Sequence, residues 1–238
     1  MYKKVRFLAN VVILITIISI VGVWVTNDSS VTISGTQENR AIYSGDENTN
    51  SVSLTFNVYE NTEIVKGIVN VLKEKGVSAT FFVGGCWADD NKETLKLIVD
   101  SGFELGNHGY FHKDHKKLSE SYNLQEIQNC QNIVYSLIGY KMNLFAPPSG
   151  SYSQTTLKVA KELGLKVIMW SKDTIDWRDS DENLIFTRAT NLVKSGDLIL
   201  MHPKAHTLNA LPKIIDEIKK KGLDITTVSK CCNLSYEL

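Results

Sequence analysis

Short apolar segments alternate with amphipathic segments from residue 51 onward, and this alternation restricts the fold more than any other feature of the chain. In the first unit, residues 52–57 have the β-branched, apolar character of a strand, and the helix that follows starts at Asn61 or Thr62 and ends at Gly76. The pattern predicts seven strands, at residues 52–57, 79–83, 103–107, 144–146, 167–170, 197–201 and 225–228, with further helices at 94–99, 123–138, 154–163, 182–193 and 208–220. Strands joined by helices pair in parallel, and so many units without a second break in composition favour one α/β barrel of seven parallel strands over two domains.

The first 25 residues have a different character. Lys3, Lys4 and Arg6 precede a run from residue 7 to residue 25 that contains no ionisable side chain. At about 1.5 Å per residue, a helix of this length just crosses a hydrocarbon core of about 30 Å. Basic residues before such a run keep the N-terminus in the cytoplasm and send the remainder across the membrane. The length of the run and the lack of an A-x-A-like site favour a single transmembrane anchor, spanning residues 7–25, over a cleaved signal peptide.

These features predict a four-part organisation. Residues 1–25 are the anchor or signal segment, and residues 26–50, rich in Ser, Thr, Asn and Gly, are a flexible linker. Residues 51–230 form the folded domain, and residues 231–238 are a C-terminal tail. We therefore expect a single-pass protein of the cell membrane whose domain lies outside the cytoplasm, or a secreted domain if the first segment is cleaved.

The charge count excludes one class of partner. The chain has 26 basic and 26 acidic residues, and without the first 25 residues it has 23 basic and 26 acidic ones. A mildly acidic domain of this kind is not expected to bind nucleic acid. The four cysteines, Cys86, Cys130, Cys231 and Cys232, show neither the spacing of a disulfide framework nor a C-x-x-C pattern, and we interpret them as free thiols.

Three of the five histidines follow predicted strands directly, at the end where barrels of this type carry their chemistry. His108 and His112 are four residues apart, a spacing that lets two imidazoles bind one divalent ion. Ordinary core or solvent-facing histidines are the alternative. His202 follows the apolar strand 197–201 and is either a general acid or base or a core histidine.

Two further residues follow the fifth predicted strand. Asp173 is placed to orient His202 and to stabilise its charged form, although a helix cap or a surface acid would look the same in the sequence. Trp177 is either part of the core or an exposed wall on which a sugar packs.

Together, these segments resemble the five motifs of the NodB-homology domain of polysaccharide deacetylases, across about residues 51–230. The motifs, in chain order, are Thr55-Phe56-Asn57-Val58, His108-Gly109-Tyr110-Phe111-His112, Ala146-Pro147-Pro148-Ser149-Gly150, Asp173-Thr174-Ile175-Asp176-Trp177 and Leu200-Met201-His202. The single N-terminal membrane segment and Gly109 after the first histidine are similar to sporulation-associated members.

The resemblance implies a distorted (β/α) barrel and a role for each matching residue. His108 and His112 would bind zinc or a similar divalent ion, which polarises an acetamide carbonyl and activates water. His202 would protonate the departing amine. Asp173 would orient His202 and stabilise its charged form. The substrate, an N-acetylated cell-wall glycan, would contact a set of motif residues comprising Trp177, Leu200, Pro147, Pro148, Ser149 and Tyr110. A backbone N–H near Ser149 would help to bind the oxyanion.

The sequence departs from the family at three positions. Two adjacent aspartates of the first motif, the catalytic base and the third metal ligand, are replaced by Asn57 and Val58. The Arg that opens the third motif and pairs with the base is replaced by Ala146. An amide cannot take a proton from water and a valine cannot bind a metal, so the acid half of the site persists while the base half is missing.

Two hypotheses follow. The first is a deacetylase-like hydrolase acting on N-acetyl groups of cell-wall or spore peptidoglycan, or a related glycan, with impaired catalysis. In that case Glu60 or Glu63 is a candidate substitute for the missing carboxylate, although acids are also favoured at a helix N-terminus. The second is a membrane-tethered, non-catalytic saccharide-binding or scaffold protein of the same fold. A hydrolase of small amides is a third option, but it gains nothing from an extracellular tether.

Overall fold

The computed structural model describes residues 39–235. Within this range eight strands form one sheet, and every paired strand runs parallel to its neighbour. The strands are β1 (Ser51–Val58), β2 (Thr80–Val83), β3 (Glu104–Asn107), β4 (Leu144–Phe145), β5 (Lys166–Val167), β6 (Lys172–Asp173), β7 (Leu198–Met201) and β8 (Asp224–Thr226). The order across the sheet is β5-β4-β3-β2-β1-β7-β6, and β8 pairs with the start of β1.

Eight α-helices lie between or after these strands in the described range. They are α1 (Thr62–Glu74), α2 (Gly85–Asp90), α3 (Lys92–Asp100), α4 (Glu120–Ile138), α5 (Gln154–Glu162), α6 (Glu182–Thr190), α7 (Ala205–Lys220) and α8 (Val228–Cys231). None of them is both long enough and apolar enough to cross a membrane. The predicted anchor at residues 1–25 and the last three residues of the predicted tail lie outside the described residues.

The sheet explains why β1 carries the site. Every residue of β1 is buried. Side chains alternate along a strand, so Leu54 and Phe56 pack in the main apolar cluster beneath the helices, and Thr55 and Asn57 lie on the opposite face, inside the curled sheet. Thr55 is satisfied there because its hydroxyl donates to the carbonyl of Ile199 on the neighbouring strand β7.

The fifth predicted strand, 167–170, corresponds to β5, and the short strand β6 follows it outside the predicted range. β5 lies at one edge of the sheet and β6 at the other. The N–H of Ile168 donates to Phe145 in β4, whereas the N–H of Ser171 donates to Leu198 in β7. Residues 168–171 therefore lead from one edge of the curled sheet to the other, and β5 and β6 do not pair with each other. This gives the fold the distorted barrel form that the family resemblance implied.

The end of the predicted linker belongs to the folded unit, whose described part begins at Asn39. Ile42 exchanges backbone hydrogen bonds with Val167 and Met169 at the sheet edge, at 2.8 and 2.7 Å. Gly45 donates to Gly196, and Asp46 donates to Cys231. Backbone hydrogen bonds of residues 42–46 therefore join the end of the predicted linker to the folded domain.

The other end of the predicted domain also differs slightly. The strand expected at 225–228 ends at Thr226, because the side chain of Thr227 caps the short helix α8 by accepting from the N–H of Lys230. Cys231 is buried in this helix, so the first residue of the predicted tail is part of the fold. The four cysteines are free, as predicted.

Candidate active site

A cavity of about 530 Å³ opens where the carboxyl ends of the strands meet. Nine of the residues singled out in the sequence line it: Asn57, Glu60, His108, His112, Ser149, Asp173, Trp177, Leu200 and His202. Four further lining residues were not singled out: Tyr59, Trp170, Pro203 and Lys204. The motifs thus converge on one concave, mainly apolar site with a few polar groups, as is typical of ligand sites in barrels.

The loop that carries the two histidines is fixed through its backbone. The side chain of Asn107 accepts from the N–H of Gly109 at 2.8 Å. The buried carboxylate of Glu126, on α4, accepts from the N–H groups of Tyr110 and Phe111 at 3.1 and 2.8 Å. Gly109 has φ +73°, and a Cβ atom at this position would lie 3.2 Å from a ring nitrogen of His115, so the loop requires glycine here.

The two histidines are suited to bind one divalent ion. Their ring centroids are 5.1 Å apart. Nδ1 of His108 donates to the carbonyl of Ala146 at 2.8 Å, and this leaves the lone pair of Nε2 for a metal. Burial lowers the pKa of His108 to about 3 and also lowers the pKa of His112, so both rings are neutral near pH 7.

A third protein ligand is missing from this part of the chain. Within residues 39–235 no three side chains of His, Cys, Asp or Glu are grouped so that they could hold a metal ion. The donor set therefore fits two positions of a tetrahedral site, with the remaining positions left to water or substrate.

Val58 explains the missing ligand in structural terms. β1 continues through this residue, so strand alternation turns its side chain into the main apolar cluster, where it is fully buried. Asn57 does line the cavity, but its amide replaces a carboxylate. Ala146 is buried beside β4 and supplies only its backbone carbonyl, to His108. The base half of the site therefore lacks the expected carboxylate, third ligand and guanidinium.

His202 has a buried acidic partner, but the partner is Asp176. Nδ1 of His202 donates to Oδ1 of Asp176 at 2.7 Å, and the backbone N–H of His202 donates to Oδ2 at 2.7 Å. Thr207 donates its hydroxyl to the same Oδ2 at 2.7 Å. This arrangement holds the proton of a neutral His202 on Nδ1 and leaves Nε2 available for proton transfer.

The sequence-based pairing of Asp173 with His202 is therefore corrected. Asp173 lines the cavity, but its Oδ1 accepts from the N–H of Ile175 at 2.7 Å, within its own loop. Both acids belong to the motif Asp173-Thr174-Ile175-Asp176-Trp177. The feature of the sequence that distinguishes Asp176 is its position directly before the tryptophan.

Three residues of the motif loops adopt left-handed backbone conformations although they are not glycine, and two of them, His112 and Ser149, line the cavity. The three are His112, Ser149 and Ile175, with φ near +54° to +55°. Such conformations cost about 1 to 3 kcal/mol each and cluster at functional sites. Each of the three loops carries a motif, and the strain in them supports the assignment of this cavity as the site.

The remaining predicted contacts differ in how well they reach the cavity. Trp177 is 55% exposed at the rim, as expected for a sugar-packing wall, and the guanidinium carbon of Arg178 lies 5.7 Å from its ring. Pro147 and Pro148 do not line the cavity but shape the turn that presents Ser149. Tyr110 does not line it either, because its ring packs against Gly85 and Phe111.

The two candidate substitutes for the base have other partners. Glu60 lines the cavity but forms an ion pair with Lys204. Glu63 points away from the cavity and pairs with Lys66 at 2.7 Å. Tyr59 also lines the cavity, and its ring centroid lies 5.2 Å from that of His112. Burial raises the pKa of Tyr59 to about 12, which keeps its hydroxyl protonated.

Comparisons with known proteins agree with this site. A sequence model of the polysaccharide deacetylase family matches residues 44–168. The chain is 34% identical over 189 residues to the uncharacterized protein YlxY of Bacillus subtilis, covering 79% of this chain and 59% of that protein, less than two thirds of its length. It is 32% identical over 200 residues to a peptidoglycan-N-acetylglucosamine deacetylase of Bacillus cereus, covering 82% of this chain and 73% of that one.

A solved structure gives the same result. The crystal structure of BA3943, described as a CE4 family pseudoenzyme from Bacillus anthracis, superposes with a TM-score of 0.79 at 34% identity, over 82% of this chain and 69% of that one. A mutant of BA3943 described as having restored enzymatic activity superposes with a TM-score of 0.79 at 32% identity, over 82% and 71% of the two chains. On the family match, the identity to these relatives and the shared fold, the chain belongs to the polysaccharide deacetylase family.

Proposed function

We propose that this protein is a deacetylase-like hydrolase with impaired catalysis, directed at N-acetyl groups of peptidoglycan or a related cell-wall glycan. The observation that carries the proposal is the asymmetry of the cavity. The His202–Asp176 pair is present and His108 and His112, the proposed metal ligands, line the same cavity, whereas Asn57 stands where the family has its base. The names of the relatives, which include both peptidoglycan deacetylases and a pseudoenzyme, support this combination.

The retained residues can support two parts of an amide hydrolysis, the polarisation of the carbonyl and the protonation of the departing amine. His108 and His112 would hold a divalent ion, with zinc as the proposed metal, and that ion supplies Lewis-acid polarisation of the acetamide carbonyl. When it is protonated, His202 donates from Nε2 to the departing amine, because Nδ1 is bound to Asp176. Trp177 and Leu200 form walls of the cavity against which the substrate packs.

The replaced residues determine how much of the hydrolysis rate we expect to be lost. A general base typically contributes about 10²- to 10⁴-fold to the rate, and the amide of Asn57 cannot act as one. Asp173 and Glu60 are the carboxylates that line the cavity. Glu60 forms an ion pair with Lys204, and Oδ1 of Asp173 accepts from the N–H of Ile175, so neither carboxylate is assigned as a replacement base.

Acetate release tests the proposal. The protein is incubated with N-acetylglucosamine oligomers and with peptidoglycan in the presence of zinc, cobalt or manganese, and released acetate is quantified. We expect slow release that His202→Ala abolishes, since Nε2 of His202 is the proposed proton donor to the departing amine. If no metal supports release above that of His202→Ala, the hydrolytic proposal is rejected.

A non-catalytic, saccharide-binding protein on the same fold is the second candidate. The joint replacement at Asn57, Val58 and Ala146 favours it, because these residues act together in the family and are lost together here. This candidate predicts that glycan binding is unchanged by EDTA and by His202→Ala. Loss of binding on metal removal would reject it.

We further propose that residues 7–25 anchor the protein in the cell membrane with the domain outside the cytoplasm, in a role connected with sporulation. The basic flank Lys3, Lys4 and Arg6 supports this orientation. Protease added to intact protoplasts should digest the domain. Protection of the domain in intact protoplasts, with digestion only after lysis, would contradict the orientation.

A further inference from the structure

The loop between β6 and α6, residues 174–181, carries Asp176, and we refer to it as the Asp176 loop. It turns at Ile175, a β-branched residue with φ +55°. The carbonyl of Ile175 accepts from the backbone N–H groups of Arg178 and Asp179 at 3.1 and 2.9 Å, so the chain folds back on itself. A left-handed conformation is strained for such a residue, and it persists only where the surrounding structure holds it.

The start and the middle of the Asp176 loop are bound to neighbouring elements. The N–H and the hydroxyl of Thr174 donate to the carbonyl of Leu200 in β7, at 3.3 and 2.8 Å. In α7, Nε2 of His206 donates to the backbone carbonyl of Asp176 at 2.8 Å, and the hydroxyl of Thr207 donates to the carboxylate of Asp176 at 2.7 Å. These contacts leave the far arm of the loop, beyond Asp176, to be fixed by another group.

Arg188 on α6 joins the two arms of the Asp176 loop. Its guanidinium donates from Nη1 to the carbonyl of Thr174 at 3.0 Å and from Nη2 to Oδ2 of Asp179 at 2.7 Å. The side chains of Arg188 and Asp179 are each 25% exposed, and a partly buried ion pair is screened less than an exposed one. Because a guanidinium presents its N–H groups in a rigid, planar fork, it fixes the position of two acceptors relative to each other.

The ion pair between Arg188 and Asp179 persists over the pH range in which histidines titrate. Hydrogen bonds from Arg178 and from Arg188 lower the pKa of Asp179 to about 2, so its carboxylate is ionised between about pH 5 and pH 8. Arg178 donates to this carboxylate at 3.0 and 3.1 Å. Both of those bonds connect neighbours in the chain, so they do not join the two arms of the loop as the bonds of Arg188 do.

We propose that Arg188 is a positioning residue for the general acid. It holds the arms of the Asp176 loop together, the loop places the carboxylate of Asp176, and that carboxylate keeps the ring proton of a neutral His202 on Nδ1. The inference rests on the proposed function where it treats His202 as the acid, whereas the effect on the His202 ring follows from the contacts alone. Trp177 belongs to the same loop, so one guanidinium positions both the acid and the rim of the cavity.

¹⁵N NMR of the histidine rings, recorded on the full protein in EDTA, tests this role. In the wild type we expect the proton of neutral His202 on Nδ1. Arg188→Ala should move a measurable fraction of this proton to Nε2, because Asp176 is then no longer held opposite Nδ1. Arg188→Lys should lie between the two, since an ammonium group lacks the planar fork. Acetate release with zinc should fall about tenfold or more in Arg188→Ala, because a displacement of about 1 Å at a reacting group costs up to about 10²-fold.

Two further variants keep the outcome interpretable. Asp179→Asn keeps the size of the side chain and the bond between Arg188 and Thr174 but removes the ion pair, and it should move the His202 proton in the same direction to a smaller extent. Arg178→Ala removes the other arginine beside Asp179 and leaves the bonds of Arg188 in place, so the proton should stay on Nδ1.

A wild-type His202 tautomer in both Arg188→Ala and Asp179→Asn would overturn the inference. An equal shift in Arg178→Ala and Arg188→Ala would also overturn it, because joining the two arms of the loop would then not be what matters. If the tautomer shifts as expected but the wild-type protein releases no acetate, the proposed hydrolysis fails and the positioning of His202 by Arg188 stands.

Discussion

Replacing Asp176 by Asn should expose how the general acid is held. Asp176 is 1% exposed, and its carboxylate accepts three hydrogen bonds of 2.7 Å: two from His202, through the backbone N–H and Nδ1, and one from the hydroxyl of Thr207. The Asn side chain has the same shape but only one acceptor oxygen. That oxygen can keep the two bonds now made to Oδ2, and the amide NH₂ then faces Nδ1 of His202.

The cost follows from these contacts. The bond to Nδ1 reverses its direction, and all three bonds lose their ionic character, at a cost of about 1 kcal/mol each. We therefore expect Asp176→Asn to lower the free energy of unfolding by about 2 to 4 kcal/mol. Because two donors cannot face each other, the ring proton of His202 should move from Nδ1 to Nε2. The available lone pair then lies on the wrong nitrogen, and acetate release should fall together with stability.

Urea unfolding and ¹⁵N NMR of the histidine rings measure the two effects. Asp173→Asn is the matched control, because its side-chain oxygen can still accept from the N–H of Ile175 and it does not contact His202. We expect the control to change stability by less than about 0.5 kcal/mol and to leave the His202 tautomer as it is. If Asp173→Asn changes the tautomer, or if Asp176→Asn changes neither stability nor the tautomer, the assignment of Asp176 is refuted.

Three further predictions concern pH, the histidine loop and the domain boundary. Burial holds the pKa of His108 at about 3, against about 6.5 in an unfolded chain, so the unfolded state binds more protons below pH 6.5 and stability should fall as the pH drops from 6.5 toward 3. Urea unfolding in EDTA, measured at several pH values, should show that His108→Asn reduces the pH dependence of the free energy of unfolding by up to about 1.4 kcal/mol per pH unit. An unchanged pH dependence would contradict the lowered pKa of His108. Glu126→Ala removes the acceptor of two backbone N–H groups in the loop and should weaken zinc binding in calorimetry, with Glu126→Gln intermediate; equal affinity in all three proteins would show that the carboxylate does not position the loop. Deleting residues 1–50 should lower the melting temperature, because the backbone bonds of residues 42–46 are lost, whereas deleting residues 1–38 should not; equal melting temperatures would place the boundary at residue 51 after all.

Strand periodicity and strand-end polarity predicted most of the site. The motif that ends the first predicted strand identified Asn57 as a site residue, and His108, His112 and His202 follow strands whose carboxyl ends meet at one cavity. These features depend on local patterns of two to four residues, which a sequence displays directly.

The features that the sequence did not reveal depend on the path of the backbone between elements. Asp176 reaches His202 because the loop turns at Ile175, a β-branched residue at φ +55° that no propensity would place there. Val58 enters the core because β1 continues one residue further than the motif suggested. Residues 42–46 lie in a segment, 26–50, whose overall composition resembles a linker, but their backbone groups bond to the folded domain, and composition does not report backbone pairing.

The central claim is that the site keeps its acid half and has lost its base half. The most direct test is the rate of acetate release from N-acetylglucosamine oligomers with zinc, measured for the wild-type protein and for the variant carrying Asn57→Asp and Ala146→Arg. Our account predicts that the double variant is faster by about 10²-fold or more, since it regains a carboxylate at a position that lines the cavity. A wild-type rate equal to or above that of a folded double variant would contradict it.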